Sequence, residues 1–362
     1  MGMKIAKIET AEVNIPLVTP FKTALRTVDS VNDVVIKITT EDGQEGYGEA
    51  PPTAVITGET KGSIRCAIED FLAPGLIGME IENLDGIMEK LHKSMVKNTS
   101  AKAAVDMAVY DLFAKSSNKP LYKVLGGNKG EIETDLTISV NEIEEMVTDS
   151  LLAVKQGFQI LKIKVGKEGV KDVERIRAIR QAVGPDIKLR IDANQGWSAK
   201  DAVRIIRKLE DLGIDMDLVE QPVSAHDFEG LKLVTSQVQT PILADESVFS
   251  ASDAIRIIQE RAADLINIKL MKTGGIYEAL KICAIAESYE VECMIGCMLE
   301  SKIAVSAAAH LAAAKGIITR ADLDGPSLCR EDPYMGGPSF LGPRILMNTE
   351  PGLGIESVFA FN

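Results

Sequence analysis

Signals for the membrane and for secretion are missing from this sequence. No apolar run in its 362 residues approaches the length of a membrane-spanning helix, and the first ten residues lack the apolar stretch of a signal peptide. Lysine and arginine total 40 against 53 aspartate and glutamate residues, and the resulting net charge of -13 disfavours non-specific binding of nucleic acid. We therefore expect a cytoplasmic protein with no nucleic-acid or membrane partner. A homo-oligomer is compatible with this composition.

Cysteine and histidine are also scarce. The five cysteines are an odd number spread along the chain, unlike the disulfide framework of a small secreted protein, so we expect them to be reduced. Cys293 and Cys297 lie close together, but no further cysteine or histidine is near them in the sequence, which disfavours a zinc site. Only three histidines occur, and none stands at the end of a predicted strand.

Charged residues do stand at the ends of five strand-like stretches, LKIKVG, IDANQGW, VEQP, ADES and NIKLMKTGG. These stretches supply Lys162, Lys164, Asp192, Glu220, Asp245 and Lys269. From Lys164 onward the charged residues follow one another at intervals of 24 to 28 residues. One strand and one covering helix need about that many residues in a parallel α/β fold. The spacing therefore predicts repeated strand-helix units.

The region between residues 127 and 324 contains enough such units for a barrel. After Ser198, a predicted N-cap, apolar residues recur at helical spacing and stop before Gly213; they are Ala202, Ile205, Ile206, Leu209 and Leu212. Eight strands are predicted near 133–140, 160–165, 188–193, 216–220, 242–246, 264–269, 291–296 and 319–323. We expect a parallel barrel in which each strand but the last is followed by a helix.

The alternation of side chains along each strand predicts that the charged residues point toward the barrel interior. Side chains alternate between the two faces of a strand, so Lys162 and Lys164 share the face opposite to their apolar neighbours. By the same rule Asp192 shares a face with Arg190 and Asn194, and Lys269 shares one with Asn267. Barrel interiors are ordinarily filled by Val, Ile and Leu, so charges at the carboxyl ends of strands predict a catalytic site, with Asn194 and Asn267 supporting it.

The sequences on either side of the barrel differ from it. Residues 1–126 begin with alternating stretches that turn at Glu41-Asp42-Gly43 and continue with helical patterns over 62–116, which predicts a smaller α+β domain. The glycine-rich join at 125–128 precedes the barrel. Residues 325–362 are again rich in glycine and proline, and we expect 344–361 to return to the N-terminal domain.

The inward residues predict proton abstraction beside a metal ion. Three carboxylates on adjacent strand ends do not all stay ionised without a cation, and oxygen ligands favour Mg²⁺. We expect the cation and the repulsion between Lys162 and Lys164 to lower the lysine pKa values, so that a lysine acts as base. The alternative is a network of lysine-carboxylate ion pairs without a metal.

These residues resemble the enolase superfamily, in its muconate-lactonizing-enzyme subgroup, over nearly the whole chain. The resemblance implies a modified TIM barrel, (β/α)7β, with an N-terminal α+β capping domain. It also implies that Lys164 and Lys269 are the two acid/base residues, that Lys162 assists at the substrate carboxylate, and that one Mg²⁺ per subunit is bound. The implied metal ligands are Asp192, Glu220 and Asp245.

Two further segments bear on the substrate. Asp322 and Asp324 share a face at the end of the eighth strand and resemble the pair with which dipeptide epimerases of this superfamily hold an ammonium group. Capping aspartates or a second metal are the other interpretations. Arg26, in FKTALR, resembles the guanidinium that pairs with a glutamate side chain in such enzymes. We also assign Thr137, Cys297 and Met298 to the substrate pocket.

Together these features predict an enzyme that inverts the α-carbon of the C-terminal residue of a dipeptide, with glutamate as the expected residue and bacterial cell-wall peptides as the expected source. Other reactions of the subgroup remain as alternatives: epimerisation of other dipeptides, N-acylamino-acid racemisation, o-succinylbenzoate synthesis and cycloisomerisation. Most of these rival substrates carry no free ammonium group, so the aspartate pair favours a dipeptide. A non-catalytic binding protein on the same fold is the alternative of another class.

Overall fold

The N-terminal unit is built on an antiparallel sheet, as the alternating sequences predict. The computed structural model describes residues 3–166 and 168–361. Five strands come first: β1 (Ile5–Glu12), β2 (Ile15–Lys22), β3 (Thr27–Val31), β4 (Val34–Thr40) and β5 (Glu45–Ala50). Strands β1, β4 and β5 pair antiparallel, while β2 and β3 form a separate hairpin. The predicted turn joins β4 to β5, and Gly43 adopts the positive φ of 84° that favours glycine there.

Helices pack on this sheet. They are α1 (Lys61–Cys66), a π-helical segment (Ala67–Leu72), α2 (Ala73–Leu76), α3 (Leu84–Lys93), α4 (Thr99–Ser116) and α5 (Leu121–Val124). Helix α4 is buried on nearly every face because β4 and β5 lie on one side of it and other helices of both units contact its remaining faces. A Cβ at Gly48 would collide with the carbonyl oxygen of Ala104, so glycine is needed at this close approach.

The barrel is a sheet of eight parallel strands that occur in chain order. A short strand, β6 (Glu131–Glu133), precedes it. The barrel strands are β7 (Leu136–Ile138), β8 (Ile160–Lys164), β9 (Lys188–Asp192), β10 (Leu218–Glu220), β11 (Ile242–Ala244), β12 (Leu265–Ile268), β13 (Cys293–Gly296) and β14 (Ile318–Asp322). The predicted parallel barrel is confirmed.

Helices connect successive strands and cover the outside of the barrel. They are α6 (Ile143–Lys155), α7 (Val170–Val183), α8 (Ala199–Asp211), α9 (Phe228–Gln237), α10 (Ala251–Glu260), α11 (Leu270–Thr273), α12 (Ile276–Ser288) and α13 (Lys302–Ala314). Ser198 caps α8 as predicted, because its hydroxyl accepts the N–H of Asp201. Leu212 differs from its prediction: it follows the last turn and is 42% exposed, whereas the other four apolar residues of the repeat are buried.

The first predicted strand, near 133–140, is divided in two. Residues 131–133 pair with a C-terminal strand, and only 136–138 join the barrel. Between them the hydroxyl of Thr134 accepts the N–H of Leu323, and the N–H of Asp135 donates to the carbonyl of Ala321. These bonds hold the first barrel strand next to the last one.

The C-terminal segment contacts both parts of the molecule. It contains α14 (Gly325–Leu328), β15 (Tyr334–Gly336), β16 (Ser339–Leu341), β17 (Arg344–Leu346), β18 (Ile355–Val358) and a 3₁₀ turn (Phe359–Phe361). Strand β17 pairs with β6, whereas Leu353 donates its N–H to Asp111 of α4. The domain boundaries at 126 and 324 stay predictions. Within the described residues, no helix is both long and apolar enough to span a membrane.

Candidate active site

Six predicted residues meet at one end of the barrel, which we call the mouth. Because parallel strands end on the same side, residues at the carboxyl ends of β8 to β12 converge there. Lys162 and Lys164 lie on β8, Asp192 and Glu220 end β9 and β10, and Asp245 and Lys269 directly follow β11 and β12. None of the six is more than 6% exposed. The mouth is therefore a buried cluster of three acids and three lysines.

The lysines and carboxylates of the mouth form one connected network. Lys162 Nζ lies 2.6 Å from Asp322 Oδ2, 2.7 Å from Glu220 Oε2 and 3.1 Å from Asp192 Oδ2. Lys164 Nζ donates to Asp192 Oδ2 at 2.6 Å. Lys269 Nζ donates to Asp245 Oδ2 at 2.6 Å and lies 3.9 Å from Glu220 Oε1. Asp192 and Glu220 consequently each face two ammonium groups, and Asp245 faces those of Lys269 and Lys272.

This network separates the pKa values of its members. Burial raises the pKa of Asp192, but Lys164 and Lys162 outweigh burial and lower it to about 2. Burial and the charge of Asp192 raise the pKa of Glu220 to about 7. Burial lowers the pKa of Lys162 and of Lys269, but their carboxylate partners outweigh it and raise both. For these two lysines attraction to the carboxylates exceeds repulsion between the lysines, and the lowering expected beside a bound cation stays a prediction.

The acceptors of the mouth fit a hard cation. Within the described residues, four buried oxygens there make neither a hydrogen bond nor an ion pair: Asn194 Oδ1, Asn267 Oδ1 and both carboxylate oxygens of Glu246. Buried polar atoms are otherwise almost always paired. A surplus of oxygen acceptors and no surplus of donors is the donor set that Mg²⁺ takes.

Lysine groups stand between these carboxylates. Among residues 3–166 and 168–361, no three Asp, Glu, His or Cys side chains are arranged so that they could hold a metal ion by themselves. Lys162 Nζ separates Asp192 from Glu220, and Lys269 Nζ separates Glu220 from Asp245. Metal binding at these carboxylates thus requires the ammonium groups to yield their contacts.

Two amides support the carboxylates as expected. Asn267 Nδ2 donates to Glu220 Oε1 at 2.8 Å, and the backbone N–H of Asn194 donates to Asp192 Oδ1 at 2.8 Å. Asn194 has a positive φ of 44°, which is uncommon outside glycine and directs its backbone toward Asp192. These contacts fix the orientation of two of the three central acids.

Lys272 and Glu246 belong to the mouth although neither was predicted. Lys272 is fully buried; its Nζ lies 2.6 Å from Asp245 Oδ1 and also donates to the backbone carbonyls of Asp245 and Asn267. Its position three residues after Lys269, on the short helix α11, could have indicated that it also belongs to the mouth. Glu246 directly follows Asp245, and alternation along a strand placed it on the other face.

A small cavity of about 50 Å³ lies beside the lysines. It is lined by Lys162, Lys164, Lys269, Asn194, Thr137, Cys297, Met298, Asp322, Asp324, Arg26 and the apolar side chains of Phe21, Leu25, Val55, Ile56, Leu299 and Leu328. The substrate-binding residues predicted from the sequence therefore lie together with both acid/base candidates. The apolar residues were not predicted, because they come from the N-terminal unit, from the loop after β13 and from α14, and local patterns do not reveal how these segments fold together.

Asp322 and Asp324 both face this cavity but differ in their partners. Asp322 is held by Lys162, which outweighs burial and lowers its pKa. Asp324 accepts the backbone N–H of Thr137 at 2.7 Å, while burial and the charge of Asp322 raise its pKa to about 6. A cationic group placed between the two would relieve their mutual repulsion. This arrangement suits an ammonium group.

Arg26 reaches the same cavity from the N-terminal unit. A turn over residues 23–26 positions it, since Thr23 donates its N–H to the carbonyl of Arg26 at 2.9 Å and accepts the N–H of Arg26 on its hydroxyl. Within the described residues, no carboxylate lies within 4.0 Å of its guanidinium group. Burial lowers the pKa of Arg26. A half-buried guanidinium without an ion-pair partner is suited to an anionic ligand group.

These features define a two-domain barrel enzyme for acid-base chemistry at a carbon atom. They are the barrel, the N-terminal unit whose loops reach the mouth, and the paired acids and lysines. Residues 5–126 match the family model described as the mandelate racemase / muconate lactonizing enzyme N-terminal domain, and residues 145–358 match the enolase C-terminal domain-like model. The chain belongs to the enolase superfamily, in the mandelate racemase and muconate lactonizing enzyme family, as its motifs indicate.

Several relatives are similar over their full length. The L-Ala-D/L-Glu epimerase of Clostridium acetobutylicum is 54% identical, with 98% of this chain and 99% of the relative covered. The solved structure of a substrate-liganded complex of the L-Ala-D/L-Glu epimerase from Bacillus subtilis is 51% identical, with a TM-score of 0.97 and 98% and 99% of the two chains covered. A dipeptide epimerase from Enterococcus faecalis, complexed with Mg and L-Leu-L-Tyr, is 46% identical, with a TM-score of 0.95 and coverages of 98% and 100%.

Proposed function

We propose that the protein epimerises the C-terminal residue of dipeptides and that it converts L-Ala-L-Glu to L-Ala-D-Glu. One observation carries this proposal: a single pocket is lined by three lysines, by a pair of aspartates suited to an ammonium group and by an arginine that has no ion-pair partner within the described residues. The L-Ala-D/L-Glu epimerases at 54% and 51% identity support the same activity.

Lys164 and Lys269 are the proposed acid and base. They come from β8 and from the end of β12, which are four strands apart in an eight-stranded barrel and hence on opposite walls. As the bond between the α-carbon and its hydrogen breaks, the neutral lysine takes the proton. The opposite lysine, as an ammonium group, gives a proton to the other face of the carbon, and the configuration inverts. The reverse reaction exchanges the two roles.

Asp192, Glu220 and Asp245 are the proposed ligands of one Mg²⁺ per subunit. When bound, Mg²⁺ supplies positive charge that stabilises the negative charge the substrate carboxylate acquires as the proton leaves. The same carboxylates raise the pKa of Lys162 and Lys269. A lysine that yields its carboxylate partner therefore loses the interaction that keeps it protonated and becomes a better base.

The remaining pocket residues orient the dipeptide. Asp322 and Asp324 bind the N-terminal ammonium group, Lys162 assists at the carboxylate, and Arg26 pairs with the glutamate side chain. Thr137 holds Asp324 through its backbone N–H, and Cys297 and Met298 form the wall that follows β13. We also propose that the substrate derives from cell-wall peptides and that the reaction takes place in the cytoplasm.

Dipeptides with an apolar second residue are the second candidate substrates. Leu25, Val55, Ile56, Leu299 and Leu328 line the same cavity as Arg26 and offer contacts to an apolar side chain. The Enterococcus faecalis structure with L-Leu-L-Tyr supports this possibility. The two candidates differ in whether Arg26 contributes to binding.

Deuterium exchange tests the reaction. We expect incubation of the protein with L-Ala-L-Glu and Mg²⁺ in D2O to place deuterium at the glutamate α-carbon and to produce L-Ala-D-Glu, both followed by proton NMR. N-acetylated L-Ala-L-Glu, which lacks the ammonium group, is expected to react much more slowly. Absence of deuterium at the α-carbon of the free dipeptide would refute the dipeptide assignment.

An arginine substitution tests the glutamate preference. We expect Arg26→Ala to raise KM for L-Ala-L-Glu and to leave KM for L-Ala-L-Leu nearly unchanged. Lys22→Ala is the matched control, because Lys22 is a cation on the same hairpin whose Nζ donates to Asn141 at 2.6 Å instead of lining the cavity. Equal effects of Arg26→Ala on both dipeptides would favour the apolar candidates.

A further inference from the structure

Glu246 is a buried carboxylate without a partner. Only 5% of the residue is exposed, yet neither oxygen accepts a hydrogen bond within the described part of the chain. No lysine, arginine or histidine among the described residues lies within 4.0 Å of either oxygen. Burying such a group without compensation is costly, so a structural role does not account for it.

The carboxylate of Glu246 lines a second cavity, which we call the side cavity. This cavity has a volume of about 970 Å³ and lies between residues 54–58 of the N-terminal unit and the loops that follow β9, β10 and β11. Gln195, Ser247 and Thr273 line it together with Glu246, and Val55 and Ile56 line both the side cavity and the cavity beside the lysines. The loop at 54–58 therefore borders both spaces.

The surroundings of Glu246 connect the side cavity to the central acids. Asp245, Asp192 and Glu220 are the carboxylates whose charges act on it, and Lys269 is the lysine that does so. Glu246 is thus a fourth carboxylate near the three proposed metal ligands, and it lines the side cavity and not the cavity beside the lysines. Gln221 holds this loop in place, because its Oε1 accepts the backbone N–H groups of Asp245 and Ser247.

We propose that Glu246 is a fourth carboxylate of the Mg²⁺ site, which holds the ion through its water ligands, and that the hydrated ion enters through the side cavity. This inference rests on the proposed function, since it takes Asp192, Glu220 and Asp245 as the metal ligands. Mg²⁺ keeps several water ligands in proteins, and a buried carboxylate with two free acceptor oxygens is a suitable partner for them.

The two cavities differ in whether they admit a hydrated ion. One buried water needs roughly 10 to 15 Å³ of cavity volume. The cavity beside the lysines, at about 50 Å³, has room for only a few waters, fewer than the six of a free octahedral Mg²⁺. The side cavity, at about 970 Å³, accommodates the whole hydrated ion.

Metal affinity tests the role of Glu246 without reference to catalysis. The full chain, freed of metal with a chelator, is titrated with Mn²⁺ while electron paramagnetic resonance measures the free ion, and competition gives the Mg²⁺ affinity. We expect Glu246→Gln to weaken binding by about 10- to 100-fold, the usual effect of losing a partner of this kind. Affinity equal to that of the unmodified protein would overturn the proposal.

Two control variants separate this inference from the proposed function. Glu278→Gln removes a carboxylate that lines the same cavity but pairs with Lys281 at 2.6 Å, and we expect no change in Mn²⁺ affinity. Asp245→Asn is expected to abolish binding. If Asp245→Asn weakens binding and Glu246→Gln does not, only the inference fails. If the unmodified protein binds no Mn²⁺, the metal site of the proposed function fails as well.

A kinetic measurement tests the route of entry. Ala54 lines the side cavity only, so Ala54→Phe narrows it without touching any carboxylate. We expect this variant to slow Mn²⁺ association in stopped-flow mixing with a metal-sensitive dye while the equilibrium affinity stays the same. An association rate equal to that of the unmodified protein would refute entry through the side cavity.

Discussion

The two ends of the barrel interior both carry buried charges, but they pair them differently. At the end opposite the mouth, which we call the floor, Arg190 donates from Nε to Asp217 at 2.8 Å and from Nη1 to Asp135 at 2.8 Å and to the carbonyl of Ala321 at 2.9 Å. At the mouth, lysines share the carboxylates. Asp192 contacts Lys162 and Lys164, and Asp245 contacts Lys269 and Lys272.

This difference separates a structural ion pair from a site for chemistry. A guanidinium group presents a rigid fork whose donors are directed at fixed acceptors, and it does not lose its proton. An ammonium group on a flexible stem exchanges partners and can act as a base. Within the described residues the floor leaves one buried oxygen, Asp135 Oδ1, without a hydrogen bond or ion pair, whereas the mouth leaves four. The floor is therefore nearly complete by itself, and the mouth is built to accept a ligand.

Replacing a catalytic lysine at the mouth should have the largest effect on activity. We expect Lys164→Met and Lys269→Met each to lower kcat by about a hundred- to ten-thousandfold, the range that general acid-base groups contribute. Stability should change little, because Asp192 keeps Lys162 and Asp245 keeps Lys272. Steady-state kinetics and urea denaturation measure the two effects. Full activity in either variant would contradict its role.

Replacing the arginine at the floor should have the opposite outcome. We expect Arg190→Met to lower the free energy of unfolding by about 3 to 5 kcal/mol, because it leaves the buried Asp135 without an ion-pair partner. The folded fraction should keep its kcat, since Arg190 does not line the substrate cavity. Denaturation and active-site titration check this. A loss of kcat as large as that of Lys269→Met would break the distinction between floor and mouth.

The sequence predicted which residues face inward but not how deep they lie. Parity placed Arg190 and Asp192 on one face of β9, and both do point inward. Two residues advance a strand by about 7 Å, which is enough to move a side chain from the mouth to the floor. The direction of a long side chain matters as well, because Lys162 is paired with Arg190 in the β8–β9 register and its ammonium group nevertheless reaches the carboxylates of the mouth.

Other parts of the site depended on contacts between distant segments. Repeat spacing and parity predicted the barrel and its catalytic residues because both are properties of single strand-helix units. Lys272 and Glu246 lie just beyond the strand ends, where the strand alternation no longer applies. The apolar lining at 21–25 and 55–56 comes from loops of the N-terminal unit, and its position depends on how that unit packs on the mouth.

His310 is a buried ionisable residue outside the mouth, and replacing it shows whether burial alone makes such a group important for activity. His310 lies on α13, accepts the N–H of Tyr122 on Nδ1 at 3.1 Å, and has its pKa lowered by burial to about 4. Between pH 6.5 and 4 the unfolded chain binds a proton that the folded protein does not. Stability should therefore fall by up to about 3 kcal/mol as the pH decreases through this range.

His310→Asn should flatten this part of the pH profile, since the amide oxygen can still accept the Tyr122 N–H and the side chain does not titrate. Urea denaturation at pH 7 and pH 5 measures the difference between variant and unmodified protein. We expect kcat at pH 8 to be unchanged. A parallel pH profile in the two proteins would show that His310 does not titrate as its burial implies.

Asp217, at the rim of the floor, should give the smallest effect. Burial raises its pKa, but Arg190 outweighs burial and lowers it, so the ionised carboxylate stabilises the fold above its ordinary pKa near 3.9 and loses this contribution as the pH falls further. Because the side chain is 15% exposed and an amide oxygen can still accept from Arg190, we expect Asp217→Asn to cost only about 1 kcal/mol at pH 7. The deficit should shrink in urea denaturation below pH 4, a range that does not overlap the one in which His310 acts. Activity should be unaffected, because a neutral group at the floor leaves every contact of the mouth in place.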